Sequence, residues 1–502
     1  METIYSLRPL VAVLIASVAS ILILATRHRP NLRETWSVLG AVATCLTVVS
    51  MTPWILAGKY VEITPFVILP GITMKFRVDA LGILFGTIAS FLWILVSFYN
   101  VGYMRSLNEH AQTRYYFCFA VAIVGAVGVA FSGNLFTLYL FYELITIFTY
   151  PLVAHHQDEE AYEGGRKYMV YLTGTAKGFF LPAIILTYIL AGTLDFAPSG
   201  VVKGIFPADA DPTLVTITYI LYLAGFAKAA IMPFHNWLPS AMVAPTPVSA
   251  LLHAVAVVKA GVFCVGRVML SVFGLEVLDR LYLGIPTAYA AGFTIVIASV
   301  IALTKDDLKA RLAYSTVSQL SYVIIGVALL TPSAVTGGLL HIANHAFSKI
   351  TLFMCAGAIY VALHTKKISE MGGIGRVMPF TLAAFGIASL SMIGVPLVCG
   401  FVSKWYMIRG AMDGHNTVFL LVFLASTILN TGYFIPILTK AFFEPPGAAL
   451  EHLHHGQPHG TAGRLHEAPI AMVVPLVLTA IASVIMGIYP DYFLNIVKAV
   501  FR

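Results

Sequence analysis

Charged residues are scarce in this sequence of 502 residues. They make up 11% of it, whereas soluble globular domains average about 25%. Hydrophobic residues reach 59%, and the mean hydropathy is +0.87. This composition excludes a soluble globular domain and predicts a protein that crosses the membrane many times. We interpret the net charge of +7 as a signal of membrane orientation, so nucleic acid is not an expected partner.

Cysteine is also rare, and each of the five cysteines stands alone in an apolar segment. They are Cys45, Cys118, Cys264, Cys355 and Cys399. No CxxC pair or Cys/His ligand spacing occurs, which argues against iron–sulfur, zinc and haem sites and favours core packing. The glycines of Gly372–Gly375 lack the preceding strand and the third glycine of a dinucleotide fingerprint. The sequence therefore predicts no cofactor and no metal, and it contains no redox centre or catalytic motif.

Apolar segments of about 20 residues, enough to cross a bilayer of roughly 30 Å, can be placed along the whole chain. We predict an all-α polytopic membrane protein with about fourteen transmembrane helices, which form a single integral membrane domain over residues 1–502. The first span lacks a small-residue cleavage site and is expected to be retained. The predicted centres lie near Ser17, Leu46, Thr87, Ala122, Leu144, Leu181, Tyr222, Ala254, Thr294, Val323, Cys355, Leu390, Ser426 and Leu478.

Basic residues concentrate in loops that fall on one side of these predicted spans. The loops contain Arg27, Arg29 and Arg33, then Arg166 and Lys167, then Lys305, Lys309 and Arg311, then Lys366, Lys367 and Arg376. The positive-inside rule makes that side cytoplasmic. We therefore expect a multi-pass protein of the cell inner membrane with both termini on the outer face.

Proline interrupts two of the predicted spans, each time near a lysine. A proline follows Lys228 in the segment Leu221–Pro239, and a proline precedes Lys404 in the segment Gly394–Trp405. Proline frees backbone groups that a membrane tolerates only where protein or water satisfies them. Two broken helices that line a hydrated cavity are therefore predicted, and the reversed order suits an inverted repeat. Ordinary helix kinks are the alternative.

Ionisable residues stand out because the segments around them are otherwise apolar. A charged side chain at a helix centre costs roughly 2.5–3.5 kcal/mol on insertion scales, so such groups usually face a bundle interior or a water path. We therefore predict a path for protons or other ions. Its residues are Glu143, Lys228, His253, Lys259, His341, His345, Lys349 and Lys404. For Glu143, a structural ion pair that only fixes helix packing is the alternative.

His341, His345 and Lys349 recur every four residues. They therefore share one helix face over about 12 Å. Histidine and a buried lysine can both exchange protons near neutral pH, which favours a relay. The alternatives are histidines that are satisfied within the core, or a metal bound by His341 and His345.

The remaining candidates follow no regular spacing. His253 and Lys259 lie six residues apart, so a regular helix does not place them on one face, although a bulge would. Lys404 lies near the edge of its span, where snorkelling to the interface is the alternative. Lys177 is a further lysine in an apolar span, and it is a second possible partner for Glu143.

The polar segment Glu451–Glu467 is rich in histidine. It contains His452, His454, His455, His459 and His466. Histidine-rich tracts can bind metal, but a solvated loop is the simpler interpretation.

Five sequence elements carry a resemblance to one family. They are Phe141–Leu144, Lys228–Pro239, Ala244–Gly261, Asn344–Lys349 and Gly400–Lys404. Through them the chain resembles the antiporter-like subunits shared by Mrp cation/proton antiporters, membrane-bound hydrogenases and respiratory complex I. Four features resemble the D-type member of Mrp antiporters and its hydrogenase relatives: the context of Tyr142 and Glu143, the continuation Thr149–His155, lysine instead of glutamate at position 404, and the absence of a long C-terminal lateral helix. Tyr142 stands where complex I relatives commonly carry tryptophan, and Lys177 is not part of the pattern.

The resemblance implies a fold with two inverted five-helix repeats, two offset half-channels and a polar axis across the membrane plane. The implied regions are a first half-channel region at about 79–270, a second, inverted repeat at about 281–445, a His-rich cytoplasmic loop at 446–468, and a last helix and tail at 469–502. The implied roles are a switching pair of Glu143 and Lys228, a connection between the halves through His253 and Lys259, a continuation along His341, His345 and Lys349, and an opening to the far side at Lys404.

These expectations describe an ion-translocating subunit of a multisubunit complex, which moves protons, with sodium as a possible coupled ion. Its expected partners are other membrane subunits of an Mrp-type, hydrogenase or complex I-like assembly. One alternative is a proton-pumping subunit of an NADH- or ferredoxin–quinone oxidoreductase. A structural membrane subunit without transport is the alternative from another class. The chain would be a translocase subunit, which leaves open whether the whole complex is an oxidoreductase.

Overall fold

The computed structural model describes residues 2–197, 201–250, 256–450 and 465–501. Helices dominate it, as predicted, and one small sheet accompanies them. The strands are β1 (Thr3–Tyr5), β2 (Tyr60–Leu69) and β3 (Ile72–Val78). The helices before the middle of the chain are α1 (Arg8–Ala25), α2 (Pro30–Val49), α3 (Thr52–Leu56), α4 (Ala80–Ser106), α5 (Gln112–Ala130), α6 (Leu135–Val153), α7 (Glu159–Thr175), α8 (Leu181–Ala191), α9 (Pro212–Gly225), α10 (Trp237–Ser240) and α11 (Thr246–Val248).

The later helices complete the bundle. They are α12 (Val257–Val268), α13 (Gly274–Arg280), α14 (Gly284–Thr304), α15 (Leu308–Ala328), α16 (Pro332–Leu363), α17 (Pro379–Ile393), α18 (Cys399–Asp413), α19 (Thr417–Phe443), α20 (Ile470–Ile488) and α21 (Asp491–Lys498). Single π-helical segments, Ala176–Phe180 and Met269–Phe273, join α7 to α8 and α12 to α13.

Eleven helices in the described ranges are long and apolar enough to cross a membrane. The chain is therefore a multi-pass membrane protein, as predicted. Three further predicted centres, Tyr222, Val323 and Leu390, lie in α9, α15 and α17, which do not meet that criterion. The predicted number of fourteen spans is accordingly not confirmed. The centre near Ala254 falls outside the described residues.

Helix α16 lies at the centre of the bundle. Of the residues in the apolar membrane-spanning stretch of α16, 83% are buried, compared with 33% for α19. Helices α4, α15, α17, α18 and α20 pack around α16. Thr331 caps its N-terminus by accepting a hydrogen bond from the amide of Ala334, and Pro332 occupies the first turn, where a missing amide proton costs nothing. Side chains on every face of α16 are therefore enclosed by protein.

The small sheet was missed by the sequence analysis. β2 pairs in parallel with β1 and antiparallel with β3, and a bridge from Phe76 to Ser132 joins β3 to the loop between α5 and α6. Glu62 on β2 forms ion pairs with Lys75, at 3.0 Å, and with Arg77, at 2.9 Å. The sheet thus ties the N-terminal segments to the end of the bundle where α5 and α6 meet.

Two helices are broken in the segments that the sequence indicated. Helix α9 ends at Gly225, and a 3₁₀ turn over Ala227–Ala229 follows it. Helix α17 ends at Ile393, and Gly394 adopts a φ of +95°, a left-handed conformation that favours glycine. The chain resumes as α18 only at Cys399. Each break leaves carbonyl groups inside the bundle that side chains can use.

Candidate functional site

Lys228 lies in the first helix break and is fully buried. Its ammonium group donates a hydrogen bond to the main-chain carbonyl of Tyr142 on α6, and Nζ lies 3.2 Å from the centroid of the Tyr142 ring. Helix α12 packs directly on this turn, because a Cβ atom at Gly261 would lie 2.3 Å from the amide nitrogen of Ala229. Only glycine at position 261 permits this approach without a shift of the backbone.

Glu143 follows Tyr142 on α6 and is half-buried. Its Oε1 atom is buried without a hydrogen-bond partner, and no lysine nitrogen comes within 4.0 Å of its carboxylate in the described ranges. Lys228 lies close by nonetheless, because its ammonium group is hydrogen-bonded to the main-chain carbonyl of Tyr142, the residue before Glu143. Lys177 itself is exposed on the surface of the protein. The predicted Glu143–Lys228 pair is therefore near in space but not in contact.

Lys259 and His345 form the contact that joins α12 to α16. The Nζ atom of Lys259 lies 2.6 Å from Nδ1 of His345, and both residues are fully buried. The other ring nitrogen of His345 has no hydrogen-bond partner. His253, which the resemblance places with Lys259 in the connection between the halves, lies outside the described residues. The structure thus places Lys259 against the histidine row.

His341 lies one turn before His345, and their ring centroids are 5.8 Å apart. Its Nδ1 atom lies 2.8 Å from the hydroxyl of Ser403, and its Nε2 atom lies 3.0 Å from Oε1 of Gln319. Both ring nitrogens are therefore occupied by protein groups. The row on α16 is as regular as the four-residue spacing predicted.

Lys349 is the third member of this row and contacts α15. Its ammonium group donates to the Ser315 hydroxyl at 2.8 Å and to the Leu312 carbonyl at 3.3 Å. The Ser315 hydroxyl is hydrogen-bonded to the Tyr433 hydroxyl at 3.0 Å, and that hydroxyl is also hydrogen-bonded to Oδ1 of Asn430. Polar groups from α15 and α19 thus extend the row sideways from α16.

This extension ends at the second helix break. The side-chain amide of Asn430 donates to the Met392 carbonyl at 3.2 Å, and Lys404 donates to the same carbonyl at 2.7 Å and to that of Ile393 at 3.0 Å. Lys404 is 6% exposed. It therefore caps the broken end of α17 instead of snorkelling to the interface. Sequence reasoning missed Ser315, Asn430 and Tyr433, because polar uncharged residues are common in membrane helices and no pattern marks these three.

Every predicted path residue lies within residues 132–430, which match the family described as NADH:quinone oxidoreductase/Mrp antiporter, TM. The NADH-quinone oxidoreductase subunit N of Desulforudis audaxviator (strain MP104C) is 30% identical over 91% of this chain and 89% of its own length. The probable K(+)/H(+) antiporter A/B subunit of Rhizobium meliloti (strain 1021) is 31% identical over 85% of this chain. The chain spans 43% of the length of that antiporter protein.

Two solved structures share the fold. One is the membrane-bound sulfane sulfur reductase, an archaeal respiratory membrane complex, with a TM-score of 0.84, 24% identity, and coverage of 98% of this chain and 97% of the other. The other is the Mrp complex from Dietzia sp. DQ12-45-1b, with a TM-score of 0.84, 21% identity, and coverage of 98% and 96%. These findings confirm the resemblance seen in the sequence. The chain belongs to the NADH:quinone oxidoreductase/Mrp antiporter transmembrane family.

Proposed function

We propose that the chain is an ion-translocating membrane subunit of a multisubunit complex and that it moves protons along its buried lysines and histidines. One observation carries this proposal. Four lysines, Lys228, Lys259, Lys349 and Lys404, are 0–6% exposed, and none has a carboxylate within 4.0 Å in the described ranges. Their ammonium groups are instead met by carbonyls, a hydroxyl and an imidazole.

Unpaired buried lysines discriminate between transport and a purely structural role. A structural charge inside a membrane protein is held by an opposite charge, since an uncompensated buried ion is strongly destabilising. A lysine without a counter-ion can instead lose its proton, and a neighbouring imidazole or hydroxyl can receive it. The arrangement therefore favours proton exchange over static helix packing.

We assign the order of transfer from the contacts. Lys228 and Glu143 form the first station, where a change in their separation would change the charge state of the lysine. Lys259 passes the proton to His345, from which the row on α16 leads one turn back to His341 and one turn onward to Lys349. From Lys349 the hydroxyls of Ser315 and Tyr433 and the amide of Asn430 lead to Lys404. Waters would fill the intervals between these groups.

The domain organisation supports two half-channels. The broken helices α9 and α17 fall one in each of the two regions, about 79–270 and 281–445, for which an inverted relation is proposed. Broken helices that face each other across such a repeat place ion sites near the membrane midplane. With the basic loops in the cytoplasm, both termini would lie on the outer face.

The proposed partners are other membrane subunits. A charge that crosses the membrane field exchanges about 2.3 kcal/mol per 100 mV, and no energy source lies in the described residues, so a partner or a second ion gradient such as sodium must supply it. An Mrp-type antiporter or its hydrogenase counterpart is the first candidate, because lysine at position 404 is one of the features that resemble the D-type member of that family. A proton-pumping subunit of a quinone oxidoreductase is the second, favoured by the subunit N relative that matches over 89% of its length.

The experiment that tests this function replaces Lys228 with alanine in the native complex. Assembly is followed by native gel electrophoresis, and proton and sodium fluxes are measured in sealed vesicles. The matched control is Lys498→Ala, which removes an exposed lysine near the end of the chain. Intact assembly with lost flux is expected for Lys228→Ala alone. Normal flux would remove Lys228 from the path, and lost assembly with retained flux per assembled complex would support the structural alternative.

A further inference from the structure

A second group of ionisable side chains lies away from the proposed path. It combines Glu109 and His110, from the short loop between α4 and α5, with His155 and His156, which follow the C-terminus of α6. Ligand atoms of Glu109, His110 and His155 all lie within 4.8 Å of one another. We call these four residues the Glu109 cluster.

His155 is the residue that points to a ligand. It is 0% exposed, and neither of its ring nitrogens has a hydrogen-bond partner. Its main-chain carbonyl accepts a hydrogen bond from Arg114 at 2.9 Å, which fixes the position of the backbone. Buried polar groups in folded proteins are almost always paired, and the nearest charged group to this imidazole is the Glu109 carboxylate, 3.6 Å from Nε2. An imidazole that makes no hydrogen bond inside a cluster of donor atoms points to an occupant.

The separations in the cluster suit a metal ion better than direct hydrogen bonds. One oxygen of Glu109 lies 3.6 Å from Nε2 of His155, and its other oxygen lies 3.8 Å from Nε2 of His156. Both distances exceed a hydrogen bond. Two ligands at 2.0–2.2 Å from a tetrahedral zinc ion lie about 3.4 Å from each other. Small side-chain movements would therefore bring these atoms to coordination distance.

The chemistry of the donor set selects the class of metal. Imidazole nitrogens with one carboxylate bind zinc and neighbouring divalent transition metals, whereas calcium and magnesium prefer all-oxygen sites. We propose that the Glu109 cluster is a binding site for a divalent transition metal such as Zn²⁺, with Glu109, His110 and His155 as ligands and His156 as the fourth donor. Such a metal ties the α4–α5 loop to the end of α6.

The surroundings provide access for a hydrated ion. A cavity of about 50 Å³ beside the cluster is lined by Glu109 and His156, and on its other walls by Lys309 and Lys366. These lysines belong to the predicted cytoplasmic loops, so the site lies on that side of the bundle. The ammonium group of Lys309 donates a hydrogen bond to the Ala244 carbonyl at 2.7 Å. The site is separate from the path and does not depend on the proposed function.

The test must exclude the histidine-rich segment as a source of binding. The full-length purified protein is therefore prepared in a background in which the histidines of that segment are changed to asparagine, namely His452, His454, His455, His459 and His466. Zn²⁺ retained after desalting is measured by elemental analysis, and its affinity is measured by competition with a chromophoric chelator. Co²⁺ is used as a spectroscopic probe, since tetrahedral or five-coordinate cobalt has intense visible bands.

We expect one Zn²⁺ per chain in this background. Glu109→Gln and His155→Ala are each expected to weaken binding by about tenfold or more and to remove the cobalt bands. His415→Ala, which removes an exposed histidine elsewhere, is the matched control and should change nothing. If His155→Ala fails to elute as a folded protein in gel filtration, Glu109→Gln decides, because Glu109 is only half-buried. Loss of all zinc binding in the background, or unchanged affinity in the cluster variants, overturns the proposal.

Discussion

Tyr433→Phe removes one oxygen atom from the polar connection between Lys349 and Lys404. The Tyr433 hydroxyl is hydrogen-bonded to Ser315 at 3.0 Å and to Asn430, and the residue is fully buried. Phenylalanine keeps the ring and almost all of the volume, so helix packing is preserved. The substitution therefore interrupts the connection and leaves both lysines in place.

Two effects of different size are expected from this change. Each buried hydrogen bond contributes about 0.5–1.5 kcal/mol net, so the loss of two lowers the free energy of unfolding by about 1–3 kcal/mol. If transfer passes through the hydroxyl, proton flux per assembled complex should fall by at least about tenfold, which corresponds to a barrier higher by about 1.4 kcal/mol. Flux is measured in sealed vesicles with a pH-sensitive dye, and stability is measured by thermal unfolding in detergent.

Tyr219→Phe is the matched control for this experiment. The Tyr219 hydroxyl is also fully buried and is hydrogen-bonded to Thr287 at 2.8 Å, but it lies outside the path. Tyr219→Phe loses one buried hydrogen bond instead of two, so its free energy of unfolding should fall by about 0.5–1.5 kcal/mol and its proton flux should stay normal. If Tyr433→Phe retains normal flux at equal assembly, the connection through α19 is not used, and the assignment of Asn430 to the path fails with it.

Three further outcomes follow from individual contacts. Gly261→Ala should lower the free energy of unfolding by about 1–3 kcal/mol, seen as a lower Tm, because the new Cβ would lie 2.3 Å from a backbone atom. Gly178→Ala is the control and should leave the Tm unchanged, because its new Cβ would meet no atom within 4 Å. Asp79→Asn should lower the free energy of unfolding by about 3–5 kcal/mol in the same assay, because it leaves Arg267, whose side chain is 2% exposed, without its counter-ion. Asparagine still caps α4, so the helix start is kept. A change in the free energy of unfolding below about 1 kcal/mol would contradict this reasoning. Burial alone would raise the pKa of Asp79, but the charge and hydrogen bonds of Arg267 lower it below its ordinary value, so this stabilisation is complete above about pH 4 and is lost as the pH falls through the lower folded value. The Tm difference between the wild type and Asp79→Asn should therefore shrink in acid, and a difference that grows instead would reverse the sign of this argument.

Local features of the molecule were predictable from the sequence alone. The membrane class, the two broken helices and the row of His341, His345 and Lys349 depend on residues that are close together in the chain. Proline and glycine set backbone conformation where they stand, and a four-residue spacing defines a helix face wherever the helix lies. These predictions were therefore independent of how the helices pack.

Contacts between helices were not predictable in the same way. From the sequence, Lys259 shared a span with His253 but no face of a regular helix, and Lys404 was either a path opening or a snorkelling residue. The structure places Lys259 against His345 and turns Lys404 back onto the end of α17. It also separates Glu143 from Lys228 beyond 4.0 Å, although the family resemblance implied a pair.

The sheet and the Glu109 cluster were also not predicted from the sequence. The sheet was missed because its strands lie between apolar spans and resemble loops in a hydropathy profile. In the cluster, Glu109 and His155 are 46 positions apart in the sequence and come together because α5 and α6 pack against each other.

The sequence by itself determined that this chain lies in a membrane, which residues carry charge into it, and where its helices break, because each of these depends on local composition and backbone chemistry. Only the tertiary structure decided which charges touch, since the distance between side chains on different helices depends on the rotation and depth at which the helices pack. That packing is set by close contacts such as the one at Gly261, where a single hydrogen atom in place of a methyl group lets two backbones meet.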